Sequence, residues 1–600
     1  MNQIKRLVVK DVERLGGLAL LSADTDKIKE YVFESAKLPE IRGASMILDD
    51  LNWGYDEKGQ RLEPQWTERT IGDLFREKGL PLEKWPDGNS VYASGCSLLA
   101  LIPRDLADDL KREIEALYPC ETGAATITCV WQPVAADDVQ ERFHDLMARQ
   151  SLMLRRAKEE KEPLPFFEAI PPARRCDSCG IRPAAARQVV PDERWLCWPC
   201  QRKAERSREH GGKKQWTLEF VRALLARQLD CDCQAYLNGY ESTMQALEAV
   251  QGANDLSEIA QASRDGKSIG LIYGDGNGIG LLVEQSKTVD EYRRKSEVLH
   301  KAIHHAVFTA LASHLKIKRG IRRGIGRGRV EVVDIHPFEI ITVGGDDAML
   351  IVPGDQALDV ALTFGRTFEA QLAESGEFKQ ATLSAGLVVA DHHNPVYFLR
   401  ALAEELLKSA KKWHRQLTTD GQSPAEGTLD FLVLKSQTTL STDLKDLRAN
   451  FPWTITSPAP QREKAILTGR PFTWTEVERL KCTAQAVDRG LPRTQLQALR
   501  RAMREGRLAS TLFYLYQWAR ADLERRRLFW WVEKEWGMQP TNTPPPWIRL
   551  ERKMDYDHYW TVWEDIHEAR DVVPRLNGEE WQALRERIRR DMESEVPHAG

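Results

Sequence analysis

The chain has 600 residues, more than one hydrophobic core holds together, so several domains are expected. Its 85 Lys+Arg against 89 Asp+Glu leave a net charge of −4, which excludes a polycation that binds nucleic acid over its whole surface. Any such contact must come from local patches or from partner subunits. The opening MNQIKRLVVKDVERL lacks the apolar core of a secretion signal, and no run approaches 18 apolar residues, which predicts a cytoplasmic protein without membrane contact. In that compartment the ten cysteines are reduced, and clustered ones point to metal, not disulfides.

In chain order, GLALLSAD (17–24) reads as a buried strand followed by a helix, TDKIKEYVFES. SVYASGCSLLALIP (90–103) reads as strand sequence broken at Ser94-Gly95-Cys96. Residues 137–175 are charged and helix-prone and end in a Pro-containing boundary, KEPLPFFEAIPPARR. A cysteine cluster at 176–200 and basic, helical sequence to about 262 follow. The chain then repeats its opening. SIGLIYGD (268–275) is a strand ending at an aspartate, and the amphipathic stretch EYRRKSEVLHKAIHHAVFTALASHL comes next. Two apolar runs, Phe338–Val343 and Ala348–Val352, then flank Gly344-Gly345-Asp346-Asp347. ATLSAGLVVA (381–390) is a strand, PVYFLRALAEELLKSAKKW (395–413) a helix and LDFLVL (429–434) a final strand. This β-α-β-β-α-β order is the ferredoxin-like pattern, provided ATLSAGLVVA pairs beside the hairpin as an additional strand. Beyond about 440 the Arg/Glu/Leu/Trp-rich sequence has helical spacing, interrupted by TNTPPPW (541–547), and reads as a helical domain.

The Gly-Gly-Asp-Asp turn carries the chemistry. Two short β-rich runs joined by four residues with glycine make a hairpin, whose tip presents two adjacent carboxylates. Adjacent like charges repel and call for a cation, while paired glycines let a phosphate come close. The same four residues are also plain hairpin-turn chemistry. Asp275 ends its strand at Gly274-Asp275-Gly276-Asn277-Gly278 and is placed to face Asp346 or Asp347 across one strand spacing (~5 Å). That turn lacks the third glycine of a dinucleotide fingerprint, and its aspartate would repel a pyrophosphate without a metal. Lys408 and Lys411, late on the last helix, are either phosphate contacts or exposed helical lysines.

Cys176-x2-Cys179-x17-Cys197-x2-Cys200 has the spacing of a closed four-cysteine zinc ribbon, a stiffening site with no open position. Cys231 and Cys233 form only a C-x-C. His144-Asp145 and Asp391-His392-His393 are explained by helix and loop chemistry. KIKRGIRRGIGRGR (316–329) is basic and Gly-rich, suited either to phosphates or to a solvated loop.

These motifs, in this order, resemble the large, polymerase-like subunit of type III CRISPR effector complexes of the Cmr/Csm type. Two palm domains flank a zinc-binding domain, and helices follow. LPEIRGAS (38–45), YGDGNGIG, SAGLVV, AEELLKSAKKW and RPFTWTEVERL (470–480) add smaller matches. The implied fold class is α+β: a degenerate palm (1–136), a helical segment with the zinc ribbon (137–262), a second, nucleotidyl cyclase-like palm (263–438) and a helical C-terminal domain (439–600). The resemblance implies that the second palm condenses ATP into cyclic oligoadenylates when guide crRNA pairs with target RNA, alongside other effector subunits. Asp275, Asp346 and Asp347 would bind two Mg2+ (or Mn2+) ions, one activating a ribose 3′-hydroxyl for attack on an α-phosphate, the other steadying pyrophosphate. Gly276, Asn277, Gly344 and Gly345 would border the nucleotide, and Lys411 its phosphates. Gly95-Cys96-Ser97 lacks the acidic pair, so the first palm would supply only part of an ATP pocket. The family's N-terminal HD nuclease has no place here, since the first palm strand starts near residue 17; nuclease activity is not expected. Two competing readings are a non-catalytic scaffold for guide and target RNA and a GGDEF-like diguanylate cyclase, which would consume GTP without RNA.

Overall fold

In the computed structural model, the described residues are 17–595 apart from 56–58, 62–66, 85–87, 162–172, 189–192, 209–214, 325–329, 379, 420–425, 436–442, 445–446, 448–453, 458–462, 539–542 and 551–556. Part of the expected boundary at 137–175, part of the Pro run at 541–547 and the end of the basic stretch at 316–329 lie outside them. Strand β1 (Leu18–Asp26) is buried continuously from Ala19 to Ala23, as a strand covered on both faces must be. Ala19, Leu21 and Ala23 face one apolar cluster together with helix α1 (Leu38–Asn52). Leu20 faces another. Strands β2 (Ser90–Ser94) and β3 (Ser97–Pro103), helix α2 (Ala107–Thr122) and strand β4 (Thr126–Val134) complete a four-stranded sheet of order β2-β3-β1-β4. Helix α3 (Phe143–Glu160) covers its second face through Phe143, Leu146 and Met147.

The cysteine segment follows as a small hairpin, β5 (Ala186–Gln188) and β6 (Arg194–Leu196), and helix α4 (Trp198–Arg208). α4 crosses α1 so closely that a Cβ on Gly43 would lie 1.8 Å from the Lys203 carbonyl oxygen. Charge pairs rivet the contact: Lys203 to Glu34 at 3.1 Å, Arg182 to Glu34 at 2.6 Å and Arg194 to the buried Glu40 at 2.7 Å.

The second palm begins with β7 (Ser268–Gly276) and α5 (Val289–His314). A ribbon comes next, β8 (Lys318–Gly324) and β9 (Val330–His336), with Gln251–Gly252 paired to the other edge of β9, and then the hairpin of β10 (Glu339–Gly344) and β11 (Asp347–Pro353). Helix α6 (Ala357–Ser375), β12 (Leu383–Asp391), α7 (Val396–Thr419) and β13 (Thr428–Val433) complete it. The sheet order is β10-β11-β7-β12-β13, with Phe472–Thr473 at the edge.

One expectation is corrected. ATLSAGLVVA does not pair beside the hairpin: α6 intervenes and carries the chain across the sheet, so β12 pairs antiparallel with the other edge of β7. The four-strand order is then that of the first palm, and LDFLVL is a fifth strand parallel to β12. The helical spacing of Leu358, Ala361, Phe364, Phe368 and Leu372, closed by Gly376 in the left-handed region, is the signal that reading passed over.

The two palms are not separate beads. Ile47 and Leu48 of α1 share one apolar cluster with Ile341 and Met349 of the hairpin. Arg42, 1% exposed, donates from Nε to Glu339 of β10 at 3.0 Å, and Ser45 donates to the Ile341 carbonyl at 2.7 Å. The C-terminal part is helical as expected, but it also carries a four-stranded sheet of 454–457, 463–466, 557–560 and 548–549. Strands this short leave no alternation to read, and the pairing that joins the sheet's two hairpins, Glu463–Ile466 with Asp557–Trp560, spans about 90 residues. Buried Arg470 ties this part to the second palm, bonding Asp565, Glu568 and the Phe431 carbonyl. No described helix is long and apolar enough to cross a membrane.

Candidate functional site

The β10–β11 turn is tight because Gly345 takes φ +60°, a conformation that costs a residue with a Cβ. Asp347 thereby opens β11 and Asp346 stands on the turn. Asp347 is the ladder partner of Asp275, so two carboxylates are apposed on neighbouring strands, as the sequence predicts. The Gly276 amide donates to the Asp346 carbonyl at 3.0 Å and fixes the turn against the end of β7. Lys411 of α7 lies 2.8 Å from Asp275 Oδ2 and donates to the Gly276 carbonyl at 2.9 Å. Among the described residues, Lys408 pairs with Glu405 and Glu404 on its own helix.

The site holds more negative charge than it neutralises. Burial, then the Asp275 charge, pushes the Asp346 carboxyl up to about 6. Burial, Asp275 and Asp346 push Asp347 up to about 7. The three aspartates do not form a compact ligand group, unlike the four cysteines and Asp391-His392-His393. Unneutralised carboxylates repel, and Lys411 holds Asp275. A hard divalent cation coordinated by oxygen is the species this donor set suits.

Several residues here escaped the sequence reading. Tyr273, two positions before Asp275 on the same strand face, donates to Asp347 Oδ2 at 3.1 Å. Lys29, on the first palm's short helix Ile28–Val32, lies 4.8 Å from the centre of the Tyr273 ring and 3.5 Å from Glu404. A period-two reading around Asp275 finds Tyr273; nothing local marks Lys29. Asn277 is spoken for: its side chain donates to Thr382 Oγ1 at 3.0 Å.

The first four-stranded sheet repeats the arrangement without the two hairpin acids, having Gly95-Cys96-Ser97 at its turn. Its Asp24 has Ser97 as ladder partner where the second palm has Asp347. Lys158, on the helix after the fourth strand as Lys411 is, bonds Asp24. The two hairpin turns abut. A Cβ on Gly344 would press to 3.0 Å on the Gly95 Cα, so this glycine serves the contact between palms, whereas a Cβ on Gly345 would meet open space. A cavity of about 240 Å³ opens between the palms, lined by Lys29, Leu48, Tyr92, Tyr273, Gly345 and Asp347. A larger cleft of about 540 Å³ lies by His392 and His393, at the opposite end of β12 from the aspartates. Its Arg42, Arg194 and Arg323 are already paired with Glu339, Glu40 and Glu258, so it is the less suited to an anionic substrate.

Cys176, Cys179, Cys197 and Cys200 converge, with three of the four sulfurs' residues buried. Cys179 and Cys197 sulfurs are 3.8 Å apart, and the Ser178 amide donates to Cys176 Sγ at 3.4 Å. Four thiols in one pocket, donated to by a backbone amide, fit a tetrahedral zinc ion. The other candidates stay apart from both centres. His144 touches Asp145 at 3.3 Å on an exposed helix start. Asp391 accepts from the His393 amide and ring, and His392 bonds the Lys267 carbonyl, which is loop bonding.

Residues 268–418 match the family model of the Cas10/Cmr2 second palm domain. No curated protein matches significantly. Among solved structures, a Csm1-Csm4 cassette in complex with cA4 is 14% identical, with 89% of this chain and 70% of that chain covered and a TM-score of 0.48. Csm1 in T. onnurineus is 14% identical over 84% and 64%, with a TM-score of 0.48. A Csm1-Csm4 cassette in complex with AMPPNP is 14% identical over 66% and 53%, with a TM-score of 0.39. The chain spans less than two thirds of the latter two. Its residues 268–418 are Cas10-like by the family model.

Proposed function

We propose that this Cas10-like chain is the nucleotide-converting subunit of a type III CRISPR RNA-guided effector complex, making cyclic oligoadenylates from ATP when target RNA binds. The observation that carries the reading is the ladder pairing of Asp275 with Asp347 beside Asp346, within the segment that matches the Cas10/Cmr2 palm. Asp275, Asp346 and Asp347 would hold Mg2+ or Mn2+, which when bound supplies Lewis-acid stabilisation of charge on phosphate oxygens. The cavity between the palms would take the nucleotide, with Gly345 leaving room at its rim. Lys411 would release Asp275 and turn its ammonium to a phosphate. Tyr273, donating to Asp347, holds that carboxylate in place. The four cysteines would hold a structural zinc that braces α4 on α1. Guide crRNA, target RNA and other effector subunits would be the partners.

A scaffold role draws support from one feature: Lys411 pairs with Asp275 as Lys158 pairs with Asp24 in the acid-poor palm. The two readings part experimentally. The assembled complex, given ATP, Mg2+ and guide-matched target RNA, is expected to yield oligoadenylates and to yield none without target. Normal assembly with no ATP turnover would favour the scaffold. Consumption of GTP without RNA would favour a diguanylate cyclase.

A further inference from the structure

Strand β8 of the ribbon is strongly basic, with sequence KRGIRRG. Lys316, Lys318, Arg319 and Arg322 cluster there, on a chain whose net charge is −4. None of the four makes an ion pair among the described residues, whereas the neighbouring Arg323 turns inward to Glu258 and the Gly252 carbonyl. Of the two acids on the ribbon, Asp334 is occupied, accepting from Tyr240 and from the Gly320 amide.

Its two faces differ in kind. Ile321, Val333 and Ile335 are buried in the core shared by the palms. The opposite face shows Arg322 laddered to Val332 and Gly324 laddered to Val330. Both valines are exposed, at 64% and 60%. β8 is an edge strand, and among the described residues no further strand pairs with its outer edge. Arg319 lays its guanidinium 4.7 Å from the centre of the Tyr240 ring, which holds the charged plane at the margin of the ribbon.

We infer that this ribbon binds a single-stranded polynucleotide through its backbone phosphates, with the valines beneath sugars and bases. A shallow apolar floor edged by unpaired cations is the make-up of a sequence-tolerant single-strand track. An added peptide strand would need pockets at alternate positions of the edge, and Gly320 and Gly324 leave none. The ribbon lies outside the aspartate site, so a chain inert toward ATP would still bind.

Fluorescence anisotropy of the full chain with labelled, unstructured 20-mers of RNA and of DNA, titrated across salt, tests this. Lys318→Ala/Arg322→Ala is expected to weaken binding about tenfold at low salt and to flatten the slope of log K against log salt by about 1.4, two contacts at ~0.7 each. Glu331→Lys, on the same ribbon, is expected to tighten binding, which keeps the test decisive should the alanine variant fold poorly. RNA held more tightly than DNA, or both alike, distinguishes a 2′-hydroxyl contact from pure phosphate recognition, and either fits the inference. Unchanged affinity and salt slope in both variants, or displacement of the RNA by an acidic peptide at equal charge concentration, would overturn it.

Discussion

Asp347→Asn should make the metal-free protein more stable at pH 8, although it removes a charged group from the candidate site. In the folded chain the Asp347 carboxyl is raised to about 7, by burial and by Asp275 and Asp346. A free aspartate ionises near ~3.9. Below that value both folded and unfolded states hold the proton, and there is no cost. As pH rises the unfolded chain ionises first, so the folded state loses relative stability, and the cost is complete above about 7. The interval sets a ceiling of about 4 kcal/mol at ~1.4 kcal/mol per pH unit. Because the side chain is only part-covered and solvent screens it, about 1–2 kcal/mol is expected. For a domain of this size that is a rise of roughly 3–6 °C in melting temperature at pH 8, fading toward pH 4. Differential scanning fluorimetry with and without Mg2+ reads it: Mg2+ should stabilise the wild type and leave the Asn variant unmoved. A variant less stable than wild type at pH 8, and equally so at pH 5, would refute the reasoning and recast Asp347 as a structural partner of Tyr273.

Two further outcomes follow from the packing. Arg42→Met removes the ion-pair partner that the buried Glu339 has in Arg42 and should cost about 3–5 kcal/mol by denaturant unfolding, with Arg42→Met/Glu339→Gln recovering most of it. Metal analysis should find about one zinc per chain, lost in Cys200→Ser together with protease resistance of the 176–208 segment; a metal-free wild type with intact resistance would remove that site.

The Gly344–Asp347 hairpin was legible as a turn that presents two carboxylates because its chemistry is local. Two β runs, a glycine at the turn and two aspartates lie within fifteen residues, and Asp275 marks its strand end by the glycines around it. The four cysteines were legible through spacing alone. What stayed hidden depends on contacts between distant segments. α6 carried a readable period, but β12 was placed by sequence proximity to the hairpin when sheet order depends on the crossover helix. Lys29 is a common surface residue until the first palm folds over Tyr273. Gly344 looked like room for a nucleotide, yet it meets Gly95 of the other palm, some 250 residues earlier. Lys158 against Asp24 and Lys411 against Asp275 become a matched pair only once both sheets are seen to share one order.

The central claim is that the Asp346–Asp347 turn converts ATP, and the rate of oligoadenylate formation by two otherwise identical effector complexes tests it most directly. One complex carries the wild-type chain and the other Asp346→Ala/Asp347→Ala, both saturated with target RNA, ATP and Mg2+. The account predicts at least about a thousandfold fall, equivalent to ~4 kcal/mol of transition-state stabilisation, with assembly and RNA binding unchanged. Equal rates from the two complexes would contradict it.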